Sequence, residues 1–204
     1  MGLYRKLIVP RLIDLAMRNR LLGSYRDRVI GAAEGRVLEI GIGSGLNLPR
    51  HPPEVGELRA LEPDPSLILW ARSKSRSGDG SVSFLEASAE QIPLDDASLD
   101  TVISTWTMCS IPDIHRALVE MRRVLKAHGR LVFVEHGLSS ERGVQRWQNR
   151  LDPLWNRISG GCHINRPIEQ LITGAGFEFD HLQADYMAGP KVMTFMYEGV
   201  ARPR

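Results

Sequence analysis

The run Val37-Leu38-Glu39-Ile40-Gly41-Ile42-Gly43-Ser44-Gly45-Leu46-Asn47 narrows what this chain can fold into more than any other stretch. A short apolar run leads straight into three glycines spaced two apart, with an acid two positions before the first. Such a pattern reads as a buried strand ending in a turn where the backbone must come close to a ligand. Glycine suits that turn because it has no Cβ and tolerates positive φ. Glu39 falls at the strand's end, where open α/β sheets place ligand contacts. The dinucleotide fingerprint G-x-G-x-x-G carries its last glycine at the sixth position, beside a helix N-terminus that holds a pyrophosphate. Here the sixth position is Leu46 and the third glycine arrives one residue early, at Gly45. The turn is spaced for a different ligand.

From residue 36 onward strand and helix alternate, which predicts an α/β chain with a mostly parallel sheet and helices on both faces. Strands are expected at 36–40, 57–62, 81–85, 99–104 and 130–135. Helices are expected from just after Pro65, over 114–126 with a stop at Gly129, over 141–159 with a break at Pro153, and over 167–173. Two last strands, at 177–183 and 193–201, are joined through Gly189-Pro190 and predicted to pair antiparallel, which makes seven strands. Upstream, Leu3, Leu7, Ile8, Leu12, Leu15, Ala16 and Leu22 recur at helical spacing with an interruption at Pro10, and a second short helix follows over 24–31. This amphipathic segment has two readings. It covers the ligand site, which is the favoured one, or it touches a membrane through a face flanked by Arg5, Lys6, Arg11, Arg18 and Arg20.

A chain of 204 residues is long enough for one domain with a substantial core. A net charge of +2 exerts no strong pull toward nucleic acid, and the short basic clusters at 72–76 and at Arg122-Arg123 read as solvated helix faces. Two cysteines, Cys109 and Cys162, are too few for a disulfide framework or a four-ligand zinc site, so no metal is expected. A reducing cytoplasm fits them best. No apolar run approaches the ~18–20 residues that span a bilayer. Arg5, Lys6, Arg11 and Asp14 interrupt any signal-peptide core, and Lys6 stands where myristoylation wants Ser or Thr. Oligomeric state leaves no mark on the sequence.

The spacing Glu39-x-Gly41-x-Gly43-x-Gly45 resembles the first motif of class I S-adenosylmethionine-dependent methyltransferases, and later stretches extend the likeness. Glu62 lies 21 residues after Gly41 at the end of the second strand; in that family the matching acid holds the adenosine ribose, and Pro63 and Asp64 resemble the residues that follow it. Ser88-Ala89-Glu90-Gln91-Ile92-Pro93 resembles the adenine loop, with Ser88 in place of the usual aspartate. The segment 98–104 resembles the family's fourth motif. The resemblance therefore implies a Rossmann-like class I methyltransferase fold and S-adenosylmethionine as cofactor, with S-adenosylhomocysteine as product. It implies cofactor contacts from Glu39, Gly41, Gly43, Gly45, Asn47, Leu48, Glu62, Pro63, Ser88, Ala89, Glu90, Ser104 and Thr105. The single domain then divides into an N-terminal helical segment over the cofactor (1–31), a cofactor-binding core (36–135) and acceptor-side helices with the strand pair (136–204).

On the acceptor side the expected lining is Trp106, Cys109, Trp147 and Cys162. Trp106 and Met108 have a second reading as plain core. His136, ending the fifth strand, and His163, in the glycine-rich turn 160–166, are the candidate bases, because imidazole titrates near neutrality. Each has an alternative reading, a strand cap for His136 and a helix connection for His163. Trp147, Pro153, Trp155, Gly160-Gly161-Cys162 and Asn165-Arg166 resemble a branch of methyltransferase-like proteins that act on alkyl thiols, over about residues 37–166. That branch implies S-methylation of a small thiol. The alternatives are N-, O- or C-methylation of a phospholipid amine or quinone precursor, and a cofactor-binding protein without catalysis.

Overall fold

The computed structural model describes residues 9–75 and 82–204. The expected apolar positions Leu3, Leu7 and Ile8, the basic residues Arg5, Lys6 and Arg76, and the start of the third strand at Ser81 lie outside the described residues.

One sheet holds seven strands, β1 (Gly35–Ile40), β2 (Val55–Leu61), β3 (Val82–Leu85), β4 (Leu99–Thr105), β5 (Leu125–His136), β6 (Phe177–Tyr186) and β7 (Phe195–Pro203). Their order across the sheet is β3-β2-β1-β4-β5-β7-β6. Strands β1 to β5 pair parallel, while β7 runs antiparallel to both β5 and β6. The predicted mostly parallel sheet with an antiparallel C-terminal pair is what is found. Two helices, α1 (Val9–Met17) and α2 (Gly23–Gly31), precede β1, and α3 (Pro65–Lys74), α4 (Ile114–Val124), α5 (Arg142–Ile158) and α6 (Ile168–Gly174) lie between later strands. No described helix is long and apolar enough to cross a membrane.

Period-two alternation along the central strands sends their side chains into two cores. Leu38, Ile40, Val102, Leu131 and Phe133 join one, with Leu118 and Met121 of α4. Val37, Ile103, Val132 and Val134 join the other, with Val29 and Ile30 of α2. Local chemistry sets the helix starts. Asp64 caps α3 by accepting from Ser66 N–H at 2.8 Å, with Pro65 in the first turn. Asp113 caps α4 by accepting from Arg116 N–H at 3.1 Å.

Two elements differ from the sequence prediction. Pro10 is the second described residue of α1, and the residues before Val9, on which the expected interruption there depends, lie outside the described ones. Pro153, where a break was expected, lies within a continuous α5. The helix expected to reach residue 126 stops at Val124, and β5 begins at once with Leu125 opposite Leu99. Arg130 is then opposite Thr101, so the residues between bulge out of the ladder. Gly129 closes that bulge, because a Cβ there would lie 3.0 Å from Leu125 and 3.1 Å from the Leu99 carbonyl.

Candidate functional site

The glycine turn has the backbone its sequence calls for, with positive φ at Gly41, Gly43 and Gly45. The three have different neighbours. A Cβ on Gly41 would lie 2.4 Å from the Thr107 methyl group, and one on Gly45 would crowd Leu48 and Ala71. A Cβ on Gly43 would meet nothing nearer than the Gly41 carbonyl at 3.9 Å. Gly41 and Gly45 thus serve packing, whereas Gly43 leaves an open space beside the turn. Glu62 faces it. Its carboxylate accepts from Gly43 N–H at 3.1 Å and from Asp64 N–H at 3.2 Å. Burial pushes its pKa above the usual carboxylate range, and these two N–H donors oppose that only in part.

Behind the turn runs a buried polar chain. Glu39, fully buried, accepts from Asn47 Nδ2 at 2.6 Å and pairs with His51 Nε2 at 2.8 Å. Asn47 Nδ2 also reaches Thr105 Oγ1 at 2.9 Å, and Asn47 Oδ1 accepts from Arg26 Nε at 2.9 Å. Arg26 lies 4.7 Å over the Trp106 ring, and burial followed by repulsion from Arg50 lowers its pKa to about 10. From α1, Asp14 accepts from the Ser44 hydroxyl and pairs with Arg18 and Lys74. The N-terminal helices therefore lie against the glycine turn. None of Asp14, Arg26 or His51 stands out in the sequence. Only the fold brings them to Ser44, Asn47 and Glu39.

The loop following β3 is anchored to the start of α4. Ser88 Oγ donates to Glu90 Oε2 at 2.9 Å, while Glu90 Oε1 accepts from Asp113 N–H at 2.6 Å at the start of α4. Both oxygens of Glu90 are thus engaged in shaping the loop around the buried Ala89.

At the C-terminal ends of β4 and β5 the chain turns sharply. Trp106 has φ of 50°, an uncommon conformation for a bulky residue, and its N–H donates to the Val134 carbonyl at 2.8 Å. Glu135 Oε1 accepts from Ser104 Oγ, Thr107 N–H and Met108 N–H at 2.8, 2.9 and 3.1 Å, which fixes the turn carrying Cys109. Cys162 Sγ lies 3.1 Å from His136 Nε2. A hydrogen bond with Cys109, together with burial, pushes the Cys162 thiol above the usual range.

The two histidines separate clearly. His163 has both ring nitrogens occupied, Nδ1 by Asp152 at 2.8 Å and Nε2 by Asn156 at 3.0 Å, and its N–H donates to the Cys109 carbonyl at 2.9 Å. It is a strut that ties α5 to the β4 turn. His136 faces the two thiols. Trp147 stands apart, 57% exposed on the outer face of α5 with Arg150 above its ring. The inner face of α5 is polar. Gln148, Asp152 and Asn156, one helical turn apart, hold the loop that carries Cys162.

Residues 38–133 match the family model described as a methyltransferase domain. The chain is 31% identical over 179 residues to thiol S-methyltransferase TMT1B of Rattus norvegicus, a match that spans 85% of this chain and 71% of that protein. The chain belongs to the class I S-adenosylmethionine-dependent methyltransferases. It is also 35% identical over 138 residues to demethylmenaquinone methyltransferase of Deinococcus radiodurans, covering 63% of this chain and 56% of that protein. In fold it resembles a chain from a solved complex between the Haloferax volcanii Trm112 methyltransferase activator and a methyltransferase. The TM-score is 0.75 at 20% identity, over 100% of this chain and 99% of that one.

The cofactor of this methyltransferase is S-adenosylmethionine. The open space at Gly43, with the Glu62 carboxylate and the turn's N–H groups around it, fits a ligand that carries hydroxyls and a carboxylate. Gly43→Ala is expected to fold with a loss of about 1–2 kcal/mol, the cost of a left-handed non-glycine residue. It should still weaken S-adenosylhomocysteine at least ~10-fold in calorimetry, because the added methyl points into the open space beside the turn. Gly41→Ala is expected to show the reverse balance, with thermal melts reporting the larger stability loss from its clash with Thr107.

Proposed function

We propose that this methyltransferase S-methylates a small thiol. The observation that carries the reading is the Cys109, His136 and Cys162 cluster at the C-terminal ends of β4 and β5. Open α/β sheets hold their ligands at that edge. The likeness to thiol S-methyltransferase TMT1B supports the same reading. When bound, S-adenosylmethionine supplies a methyl group activated by its sulfonium. That methyl would pass to the acceptor sulfur as its bond to the cofactor's sulfur breaks, with the thiol proton released to solvent. A free thiol, with pKa about 8.5, is only a few per cent ionised at neutral pH, so modest help in forming thiolate suffices.

Glu62 and the N–H groups of the glycine turn bind and orient the cofactor, and the loop at Ser88, Ala89 and Glu90 borders its base through backbone groups. Trp106 presents an aromatic surface beside the reacting centre without adding a competing nucleophile. His136 is the imidazole that assists the acceptor, while His163 positions the loop. The decisive experiment measures methylthio product from hydrogen sulfide and short alkanethiols. Turnover that His136→Ala lowers far more than His163→Phe supports the reading. Turnover only with a quinone precursor or a phospholipid amine would replace it with carbon, oxygen or nitrogen methylation. Reduced thiols at this site are in keeping with a cytoplasmic setting.

A peripheral membrane contact is the second reading, carried by the outer face of α5. There Trp147, Leu151, Leu154 and Ile158 recur at helical spacing and are exposed, beside Arg146 and Arg150. A basic helix with an exposed apolar stripe suits an anionic bilayer surface. Trp147→Glu combined with Leu154→Glu is expected to lower binding to phosphatidylserine-containing vesicles at least ~10-fold in flotation, since each buried apolar side chain contributes about 1.5–3 kcal/mol. Equal flotation of wild type and variant would remove the reading.

A further inference from the structure

The cysteine count argues against a metal, because a structural zinc site wants four protein ligands. The fold changes that argument by bringing a histidine to the two cysteines. Cys109 comes from the turn after β4, His136 from the end of β5, and Cys162 from the loop after α5, and their ligand atoms all lie within 4.8 Å of one another. One pair is closer still, His136 Nε2 and Cys162 Sγ at 3.1 Å. A tetrahedral Zn2+ with bonds of about 2.3 Å to sulfur and about 2.0–2.1 Å to nitrogen holds such donors roughly 3.5–3.8 Å apart. Side-chain shifts on the order of 1 Å bring the three to that spacing.

We propose that Cys109, His136 and Cys162 form a three-ligand Zn2+ site whose fourth position takes the acceptor thiolate. The donor set decides the metal class. Two thiolates and one imidazole, with no oxygen ligand, suit Zn2+ and disfavour Mg2+ or Ca2+. Three protein ligands are the pattern of zinc sites that keep an open position for substrate. The supporting shell is already in place. The Cys109 carbonyl accepts from His163 N–H at 2.9 Å, and Asp152 holds His163 and Ile164 on either side of the loop's return. Cys109 is buried, whereas His136 and Cys162 are half-buried, so the cluster is open on one side.

The metal's place in the reaction rests on the thiol reading above. The acceptor R–SH forms a sulfur–zinc bond and releases its proton to solvent. The sulfur lone pair then forms the new bond to the methyl carbon as that carbon's bond to the sulfonium sulfur breaks, its electron pair staying with S-adenosylhomocysteine, and the thioether product, a poorer ligand, leaves. No oxidant or reductant is consumed.

The test uses the full chain, reduced and stripped of metal with a chelator, then titrated with Co2+ as a spectroscopic stand-in. One Co2+ per chain, with the visible bands of a tetrahedral site and near-ultraviolet thiolate-to-cobalt bands, is the expected result. Both Cys162→Ser and His136→Ala should weaken binding by more than the ~10–100-fold that loss of an outer-shell partner costs, and Zn2+ should displace the cobalt. A short alkanethiol should shift the charge-transfer bands of the wild type. Absence of thiolate bands, or equal affinity in Cys162→Ser, overturns the site. So does a Cys109–Cys162 disulfide that persists under thiol reductant.

The two readings fail separately. Metal-free protein that methylates a thiol at the full rate keeps the thiol assignment and removes the metal. Cobalt bands in a protein that methylates no thiol keep the metal site and remove the thiol acceptor.

Discussion

Glu62→Ala is expected to weaken S-adenosylhomocysteine ~100–1000-fold while the protein stays folded. A buried carboxylate that receives two ribose hydroxyls makes two charge-assisted hydrogen bonds, each contributing about 1.5–3 kcal/mol, and about 1.4 kcal/mol corresponds to tenfold in affinity. The geometry favours a large effect, because Glu62 is already held by Gly43 and Asp64 N–H groups and spends little ordering on binding. Glu62→Gln retains an acceptor for one N–H and separates lost charge from lost shape. The pH dependence has a definite sign. Burial raises the pKa of Glu62, whereas ribose hydroxyls donate to the ionised form. Affinity should therefore fall as pH is lowered from neutrality toward that raised pKa, and Glu62→Gln should lack this step. Calorimetry at several pH values checks both; a variant that binds within twofold of wild type would remove Glu62 from the site.

Gln148→Leu is expected to destabilise the fold by about 3–5 kcal/mol, since each buried group left unpaired costs about 1–3 kcal/mol. Gln148 is 1% exposed and joins four backbone groups. Its Nε2 donates to the carbonyls of Gly137, Ile164 and Val192 at 2.9, 2.9 and 3.2 Å, and its Oε1 accepts from Ser139 N–H at 2.9 Å. Leucine fills similar volume but strands all four. In a domain of this size the melting temperature should fall by roughly 10 °C. The loss should be greatest around Cys162, read as faster amide exchange in the loop and the β5 exit. An unchanged melt would show that the four groups find other partners.

What could be read from the chain follows the range of the interactions involved. The glycine turn, the acid at Glu62 and the alternation of strand and helix are local patterns, and each follows from what a few consecutive residues can do. Glycine at 41, 43 and 45 announces positive φ because other residues avoid it, and φ is positive at all three. The β5 boundary was not legible. Val124-Leu125-Lys126 continues a helical pattern, and only the ladder with Leu99 recruits Leu125 into the sheet. The orientation of α5 was also hidden. Apolar residues ordinarily point inward, yet here Gln148, Asp152 and Asn156 face the protein while Trp147, Leu151 and Leu154 face out. Their spacing of four was visible, but its direction was decided by loop carbonyls and N–H groups that needed partners.

By itself, then, the sequence determined the class of fold and the kind of cofactor turn, because both rest on backbone geometry that short motifs dictate. Tertiary structure alone decided that one histidine and two cysteines would meet. Cys109, His136 and Cys162 are separated by 27 and 26 positions in the chain. Nothing local links them, and they meet because β4 and β5 pair in register while α5 returns its loop over their ends. The same packing engages both nitrogens of His163 and leaves His136 facing the thiols, a choice no spacing could reveal.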